Sequence, residues 1–144
     1  VPWTRRVLEG RTTHAGQEVD LPAFILGHRE RLVMKPNDEY GGKGVFIGWE
    51  MTDAEWTRAL GEALEASYVV QERVDVLRQE FPVLDGEEGS DLGRLRFGDF
   101  IVDLDPYVFG GQVEGFLTRL SATSLANVTS GAGQVPSFLV EPRG

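Results

Sequence analysis

The sequence predicts an α+β fold with a mainly antiparallel sheet and few helices. Three observations lead to this prediction. Short runs rich in β-branched and aromatic residues outnumber segments with helical periodicity, a glycine-rich turn joins two of those runs, and one segment carries the signals of a capped helix. With 144 residues, of which 41% are hydrophobic, the chain can bury a core without disulfides or a metal. We therefore expect one domain over residues 1–144.

Composition narrows the classes of function. The formal net charge of -9 disfavours a nucleic-acid partner, because binding to phosphate backbones needs clustered lysine and arginine. The sequence has no cysteine, which excludes disulfides, zinc-thiolate sites and thiol nucleophiles. No apolar run approaches the roughly 20 residues of a membrane helix, so a soluble, cytoplasmic protein without membrane association is expected.

The two strands that flank the glycine-rich turn come first in the clearly patterned part of the chain. Residues 31–36 form an apolar run closed by a proline, and residues 44–49 are β-branched and aromatic. Residues 37–43 between them predict a hairpin with an oversized turn. The first 30 residues are harder to assign.

One helix is predicted after this hairpin. Thr52 and Glu55 have the spacing of a capping box, and Met51 and Trp56 have the spacing of a hydrophobic staple. Apolar residues then recur at helical period through position 64. The pattern predicts a helix from about Asp53 to Glu65.

The remaining elements are predicted to be strands. Residues 67–74 and 76–84 show strand-like patterns, and the acidic residues 85–91 are expected to form a solvated loop. Later strands are expected at 100–102, 106–109, 115–120 and 135–140, with a turn at Gly110 and Gly111.

The candidate site is a glycine-rich segment that follows a lysine. Glycine amides without a Cβ can converge on phosphate oxygens while a lysine adds positive charge. These parts are Lys35, Gly41, Gly42, Lys43 and Gly44. A strand rather than a helix follows Gly44, so the segment is neither a Walker loop nor a dinucleotide fingerprint. By itself, such a turn is more often structural than functional.

The order of motifs resembles the ATP-grasp superfamily. Lys-Pro-Asn-Asp-Glu-Tyr-Gly-Gly-Lys-Gly-Val precedes a helix and then Val-Val-Gln-Glu-Arg-Val. The chain is most similar to the carboxy-terminal, ATP-binding portion of the circularly permuted ATP-grasp type 2 proteins, which are related to glutathionylspermidine synthetase and eukaryotic glutathione synthetase. Residues 2–5, 119–121 and 127–128 also resemble segments of that family, so the resemblance covers nearly the whole chain.

The resemblance implies a nucleotide site. Lys35 would contact an ATP phosphate, the amides of residues 41–44 would close over the β- and γ-phosphates, and Lys43 would assist. The hinge strand would meet the adenine edge and ribose, mainly through main-chain groups. The hinge residues are Gln71, Glu72, Arg73 and Val74.

The resemblance also implies metal and substrate residues. Glu39, or Asp38 one position earlier, would bind Mg²⁺, although each is equally readable as an exposed turn carboxylate. Arg119 resembles the catalytic arginine that meets a substrate carboxylate or the transferring phosphoryl group, with a surface salt bridge as the alternative. Asn127 and Gly131 resemble a loop that closes over the substrate, but they also suit a plain connecting loop.

The sequence departs from the family pattern in two places. No Glu-x-Asn magnesium pair is present, and the first lysine of the nucleotide site is not identifiable, so that Arg5 or Arg6 would have to replace it. In the permuted families the Glu-x-Asn pair lies upstream. The chain begins with Val1 inside a patterned segment, and we expect it to need an upstream part of the same polypeptide.

The expected function of the parent protein is ATP- and Mg-dependent ligation. A small-molecule carboxylate or peptide substrate would be phosphorylated to an acylphosphate, which an amine or thiol attacks to form a peptide-like bond. These residues alone are expected to show weak or no ligase activity. The alternative is a non-catalytic nucleotide-binding or protein-interaction module.

Overall fold

The computed structural model describes residues 1–39, 41–85, 94–124, 132–138 and 140. Within these residues it contains two α-helices and three antiparallel sheets, which confirms the α+β prediction. The chain separates into two compact units, Val1–Asp75 and Val76–Gly144. Compact units can belong to one domain, so the expected single domain stays a prediction.

The first unit combines a four-stranded sheet, a separate hairpin and two α-helices. The sheet has the order β1-β6-β4-β5, and β2 and β3 form the hairpin. The elements are β1 Thr4–Arg6, β2 Arg11–His14, β3 Gln17–Asp20, α1 Leu21–Gly27, β4 Leu32–Pro36, β5 Phe46–Ile47, α2 Asp53–Glu65 and β6 Tyr68–Glu72, with 3-10 turns at Arg29–Arg31 and Gly48–Glu50.

Both helices pack on one face of this sheet. Leu32, Met34 and Val70 point from the strands into the same buried cluster as the apolar side chains of α1 and α2. Trp56 of α2 is buried in the cluster, and its indole Nε1 donates to the carbonyl oxygen of Ile25 at 2.9 Å. Burial of this apolar surface supplies the main stabilisation of the unit.

The opposite face of the sheet is not covered by either helix. Side chains alternate between the two faces along a strand, so the residues next to the buried ones point away from the helices. We call this surface the helix-free face. The strand register places on it Thr4, Arg6, Val33, Lys35, Val69 and Gln71.

Helix α2 follows the prediction in both position and cap. It spans Asp53–Glu65, and the hydroxyl of Thr52 accepts from the backbone N–H of Glu55 while the Glu55 carboxylate accepts from the backbone N–H of Thr52. The bond from the Thr52 backbone, followed by that from its hydroxyl, holds the pKa of Glu55 below its usual range. The local capping signal was therefore sufficient to locate the helix.

The second unit is built on one antiparallel sheet with the order β10-β9-β8-β7. Its strands are β7 Arg78–Asp85, β8 Arg94–Phe109, β9 Gln112–Ser121 and β10 Gly133–Val135. Gly110 and Gly111 form the predicted turn between β8 and β9, at φ of +57° and +81°. Glycine suits these positions because it adopts positive φ without a steric penalty.

Some strand boundaries were predicted wrongly. The separate strands expected at 100–102 and 106–109 are parts of the single strand β8, and Pro106 is accommodated beyond the part of β8 that pairs with β7. The strand expected at 44–49 is reduced to Phe46–Ile47, because a 3-10 turn begins at Gly48. The strand expected at 135–140 is found at Gly133–Val135.

The first 30 residues contain elements that the sequence did not assign. Strands β1 to β3 and helix α1 all lie there. Helix α1 carries a usable local signal, since the Asp20 carboxylate accepts from the backbone N–H of Ala23 at 2.9 Å and Pro22 lies in the first turn. An aspartate followed by a proline in the first turn is a helix start signal. The helix was not predicted because it is only seven residues long.

Candidate functional site

The glycine-rich segment forms the loop of the β4–β5 hairpin. Val33 pairs with Ile47 and Met34 with Phe46, so the segment lies between antiparallel strands as expected. Gly41, Gly42 and Gly44 have φ of +71°, +78° and +66°. L residues with side chains rarely adopt this left-handed conformation. The glycines are therefore required by the backbone path of the loop.

Lys35 lies at the base of this loop, on the helix-free face. Its side chain is half-buried, and its Nζ donates to Oε1 of Gln71 at 2.6 Å. In the strand register Lys35 is opposite Val69 and Gln71 is opposite Val33, so both side chains point to the same face. The structure thus brings together Lys35, which is predicted to bind phosphate, and Gln71, which is predicted to bind adenine.

The neighbouring hinge residues point elsewhere. The carboxylate of Glu72 lies on the helix side, with Oε1 2.8 Å from Nε2 of His14. The guanidinium of Arg73 lies 4.6 Å from the centre of the Trp49 ring, and Val74 is exposed. Among the hinge side chains, only that of Gln71 reaches Lys35. A main-chain contact of residues 71–74 with adenine stays a prediction.

The two candidate replacements for the missing lysine are separated by the strand alternation. Arg5 donates to Thr12 Oγ1 at 2.9 Å and to the carbonyl oxygens of Thr4 and Thr13, and its guanidinium lies over the Trp3 ring. Arg6 instead is exposed and is opposite Val69, which is opposite Lys35. Arg6 therefore shares the helix-free face with Lys35.

Asp38 and Glu39 are exposed at the start of the loop. Glu39 is close enough to Tyr68 to contribute to its electrostatics: burial, followed by the negative charges of Glu62 and Glu39, raises the pKa of Tyr68. Within the described residues, no three histidine or carboxylate side chains are grouped to hold a metal by themselves. Magnesium at nucleotide sites is usually held by one or two carboxylates with phosphate oxygens and water, and a role of Asp38 or Glu39 in binding it stays a prediction.

Arg119 lies in the second unit, on β9. Its Nη2 forms ion pairs with the carboxylates of Asp103 and Asp105, the latter at 2.7 Å. The Nε atom is buried and has no hydrogen-bond partner in the described structure. A contact of Arg119 with substrate stays a prediction. Asn127 and Gly131 lie outside the described residues.

A second concave site, which the sequence did not predict, lies on the helix side of the first unit. The ring of Phe24 lies between the two histidine rings, with centroid distances of 4.5 Å to His14 and 4.1 Å to His28. Together with Glu72 and Arg31 they line a cleft of about 270 Å³. His14 and Glu72 are 58 positions apart, so no local spacing revealed their contact.

Gly44 provides a test of the loop geometry. We expect Gly44→Ala to lower the free energy of unfolding by about 2 kcal/mol, because a Cβ is unfavourable at φ +66° and would lie 2.9 Å from the Tyr68 hydroxyl. Urea denaturation measures this. Gly16→Ala is the matched control, since Gly16 has φ +80° and open space around it.

The double variant Gly44→Ala/Tyr68→Phe separates the two contributions. Removing the hydroxyl is expected to relieve the steric part of the Gly44→Ala cost and leave the backbone part. A Gly44→Ala cost no larger than that of Gly16→Ala would contradict the close approach of Tyr68 to the loop.

Comparison with protein-family models, with curated proteins and with solved structures finds no significant match to this chain. In the described part of the chain, neither helix is long and apolar enough to cross a membrane. The likeness to the ATP-grasp proteins therefore depends on the sequence motifs alone and remains a proposal.

Proposed function

We propose that the first unit binds the phosphates of Mg-ATP, and that the parent polypeptide is a carboxylate-amine or carboxylate-thiol ligase of the circularly permuted ATP-grasp type. One observation carries the proposal: the ammonium of Lys35 is held on the helix-free face by a neutral amide, beside a loop with three left-handed glycines. The proposal includes a cytoplasmic location.

The charge of Lys35 supports binding of an anion. Its hydrogen-bond partner, Gln71, is uncharged, and no carboxylate of the described residues forms an ion pair with it. Half-burial of the side chain lowers the local dielectric and strengthens its attraction for an anion. An ammonium with an uncharged partner attracts a phosphate more strongly than one already paired with a carboxylate.

The loop supports phosphate as the anion. Three left-handed glycines let backbone N–H groups approach a ligand without Cβ atoms between them. Arg6 adds a second positive side chain to the helix-free face. Together these groups suit a polyphosphate better than a single carboxylate.

The proposed chemistry needs charge neutralisation and positioning rather than a protein nucleophile. The γ-phosphoryl group passes from ATP to the substrate carboxylate, which gives an acylphosphate and ADP; attack by an amine or thiol then releases phosphate. Lys35 would neutralise charge on the phosphates, and Arg119 would bind the substrate carboxylate or the transferring group. Mg²⁺, held by Glu39 or Asp38 with phosphate oxygens, would supply further neutralisation.

A thermal-shift titration tests nucleotide binding. Mg-ATP is expected to raise the melting temperature of the chain, because a ligand that binds only the folded state stabilises it by about 2.7 kcal/mol at a hundred times its Kd. Mg-GTP serves as the base-selectivity control and sodium sulfate as the control for a general anion effect. The proposed site would be contradicted by a melting temperature that does not change at millimolar Mg-ATP.

A protein-interaction module is the second candidate, and one observation favours it. Several apolar side chains on the β8–β9 hairpin are at least half exposed, among them Leu104 at 53%, Phe109 at 66% and Val113 at 53%. Patches of this kind mark interaction surfaces in soluble proteins. An unchanged melting temperature with Mg-ATP would favour this candidate.

A further inference from the structure

Lys35 is the first member of a chain of three hydrogen bonds that crosses three adjacent strands. Its Nζ, on β4, donates to Oε1 of Gln71 on β6 at 2.6 Å. Nε2 of Gln71 donates to the hydroxyl of Thr4 on β1 at 2.9 Å. The Thr4 hydroxyl donates in turn to the carbonyl oxygen of Pro2 at 3.0 Å.

The three hydrogen bonds can run from donor to acceptor in one direction only, from Lys35 to Pro2. An ammonium donates and never accepts, so the amide oxygen of Gln71 must face Lys35 and its NH₂ group must face Thr4. The Thr4 oxygen must then accept, and its single proton is left for the carbonyl of Pro2. The ammonium and the accepting hydroxyl of Thr4 therefore require the same orientation of the Gln71 amide, and Thr4 holds that amide in place next to Lys35.

These three hydrogen bonds also leave the positive charge of Lys35 unneutralised. All of their acceptors are neutral groups: an amide, a hydroxyl and a main-chain carbonyl. A carboxylate at position 71 would hold the ammonium equally well, but it would form an ion pair and compete with any bound anion. A glutamine supported by a threonine positions a cation without neutralising it.

We propose that Thr4 and Gln71 are positioning residues for Lys35, which hold its ammonium on the helix-free face toward the phosphates of ATP. The inference rests on the proposed function for the identity of the anion. It gives Gln71 a role through Lys35 rather than through adenine. It also gives β1 a role in the site, because the Thr4 side chain is hydrogen-bonded to Gln71.

Competitive acylation tests the positioning directly, because Lys35 and Lys43 are the two lysines of the sequence. The chain is treated with a limiting amount of acetic anhydride, and mass spectrometry measures the acylation rate of Lys35 relative to Lys43. Acylation requires the lone pair of Nζ to reach the reagent, and the hydrogen bond to Gln71 restricts the movement of the half-buried side chain, so loss of that bond is expected to raise the rate.

Thr4→Val removes the hydroxyl and keeps the branched shape. It is expected to raise the relative acylation rate of Lys35 about fivefold, which corresponds to the loss of one hydrogen bond. Thr4→Ser keeps the hydroxyl and should behave as the wild type. Gln71→Met, which removes the acceptor itself, should raise the rate at least as much, and circular dichroism verifies that each variant is folded. An unchanged Lys35 rate in folded Thr4→Val and Gln71→Met would overturn the proposal.

Mg-ATP provides the second arm. In the wild type it should slow the acylation of Lys35 relative to the amino terminus, and in Thr4→Val the concentration needed for half-protection should rise about fivefold. A faster Lys35 rate in Thr4→Val without any protection by Mg-ATP would support the positioning and contradict the proposed nucleotide site. Protection by Mg-ATP with an unchanged half-protection concentration in Thr4→Val would support that site and overturn the positioning role.

Discussion

Lys35→Ala is expected to lower the affinity for Mg-ATP by about ten- to a hundredfold. The substitution removes a charged donor on the helix-free face, and hydrogen bonds to charged groups contribute about 1.5–3 kcal/mol. Isothermal titration of Mg-ATP into wild type and variant measures the change directly. Near-equal affinities would show that Lys35 does not bind phosphate.

Two further variants make this result specific. Lys43→Ala removes the lysine of the neighbouring loop and is expected to reduce the affinity for Mg-ATP less, because Lys43 is exposed.

Gln71→Glu keeps the shape of the glutamine but places a carboxylate next to Lys35. We expect it to weaken Mg-ATP binding, since the new carboxylate forms an ion pair with Lys35 and competes with the phosphate. Tighter binding in Gln71→Glu would argue against a phosphate at this position.

Gly48→Ala is expected to have the largest effect on stability, a loss of about 3 kcal/mol or more. A Cβ at this position would lie 2.0 Å from the carbonyl oxygen of Arg29 and 2.7 Å from that of Leu32. Both obstacles are main-chain atoms, so the clash can be relieved only by moving the backbone. The Arg29 side chain opposes that movement, since it donates to the carbonyl of Gly48 and is paired with Asp53.

Gly61→Ala is the matched control for Gly48→Ala. Gly61 lies within α2 and has no neighbouring atom within 4 Å of an added Cβ. Alanine is the better helix former, so this variant is expected to gain up to about 1 kcal/mol in the free energy of unfolding. Urea denaturation measures both variants. If Gly48→Ala were as stable as the wild type, the 3-10 turn at Gly48–Glu50 would not pack on Arg29–Arg31 as described.

The fold was predictable where its signals are local. The capping box at Thr52 and Glu55 located helix α2, and the glycines between two apolar runs located the β4–β5 hairpin. Strand β8 was divided wrongly into two strands at 100–102 and 106–109, the second of which begins with Pro106. In the structure the proline is tolerated beyond the region paired with β7, where a missing N–H costs no hydrogen bond on that side. That tolerance depends on the lengths of neighbouring strands.

The candidate site was predictable in its residue types but not in its contacts. Lys35 and the glycines were recognisable because they are close in sequence and appear in a known order of motifs. The partners of Lys35 were not, since Gln71 is 36 positions from Lys35 and Thr4 is 67 positions from Gln71. Pairing of β4, β6 and β1 brings them together. The His14 and Glu72 contact was missed for the same reason.

The sequence by itself determined the α+β class, the helix at Asp53–Glu65 and the glycine-rich hairpin, because propensity, capping and turn chemistry act over a few residues. Only the tertiary structure decided which side of the sheet each hinge residue faces. Gln71 and Glu72 are adjacent in sequence, yet one reaches Lys35 and the other reaches His14. Strand alternation makes neighbours diverge, and the register of the paired strands, which depends on burying one face against the helices, selects the contacts that each of them makes.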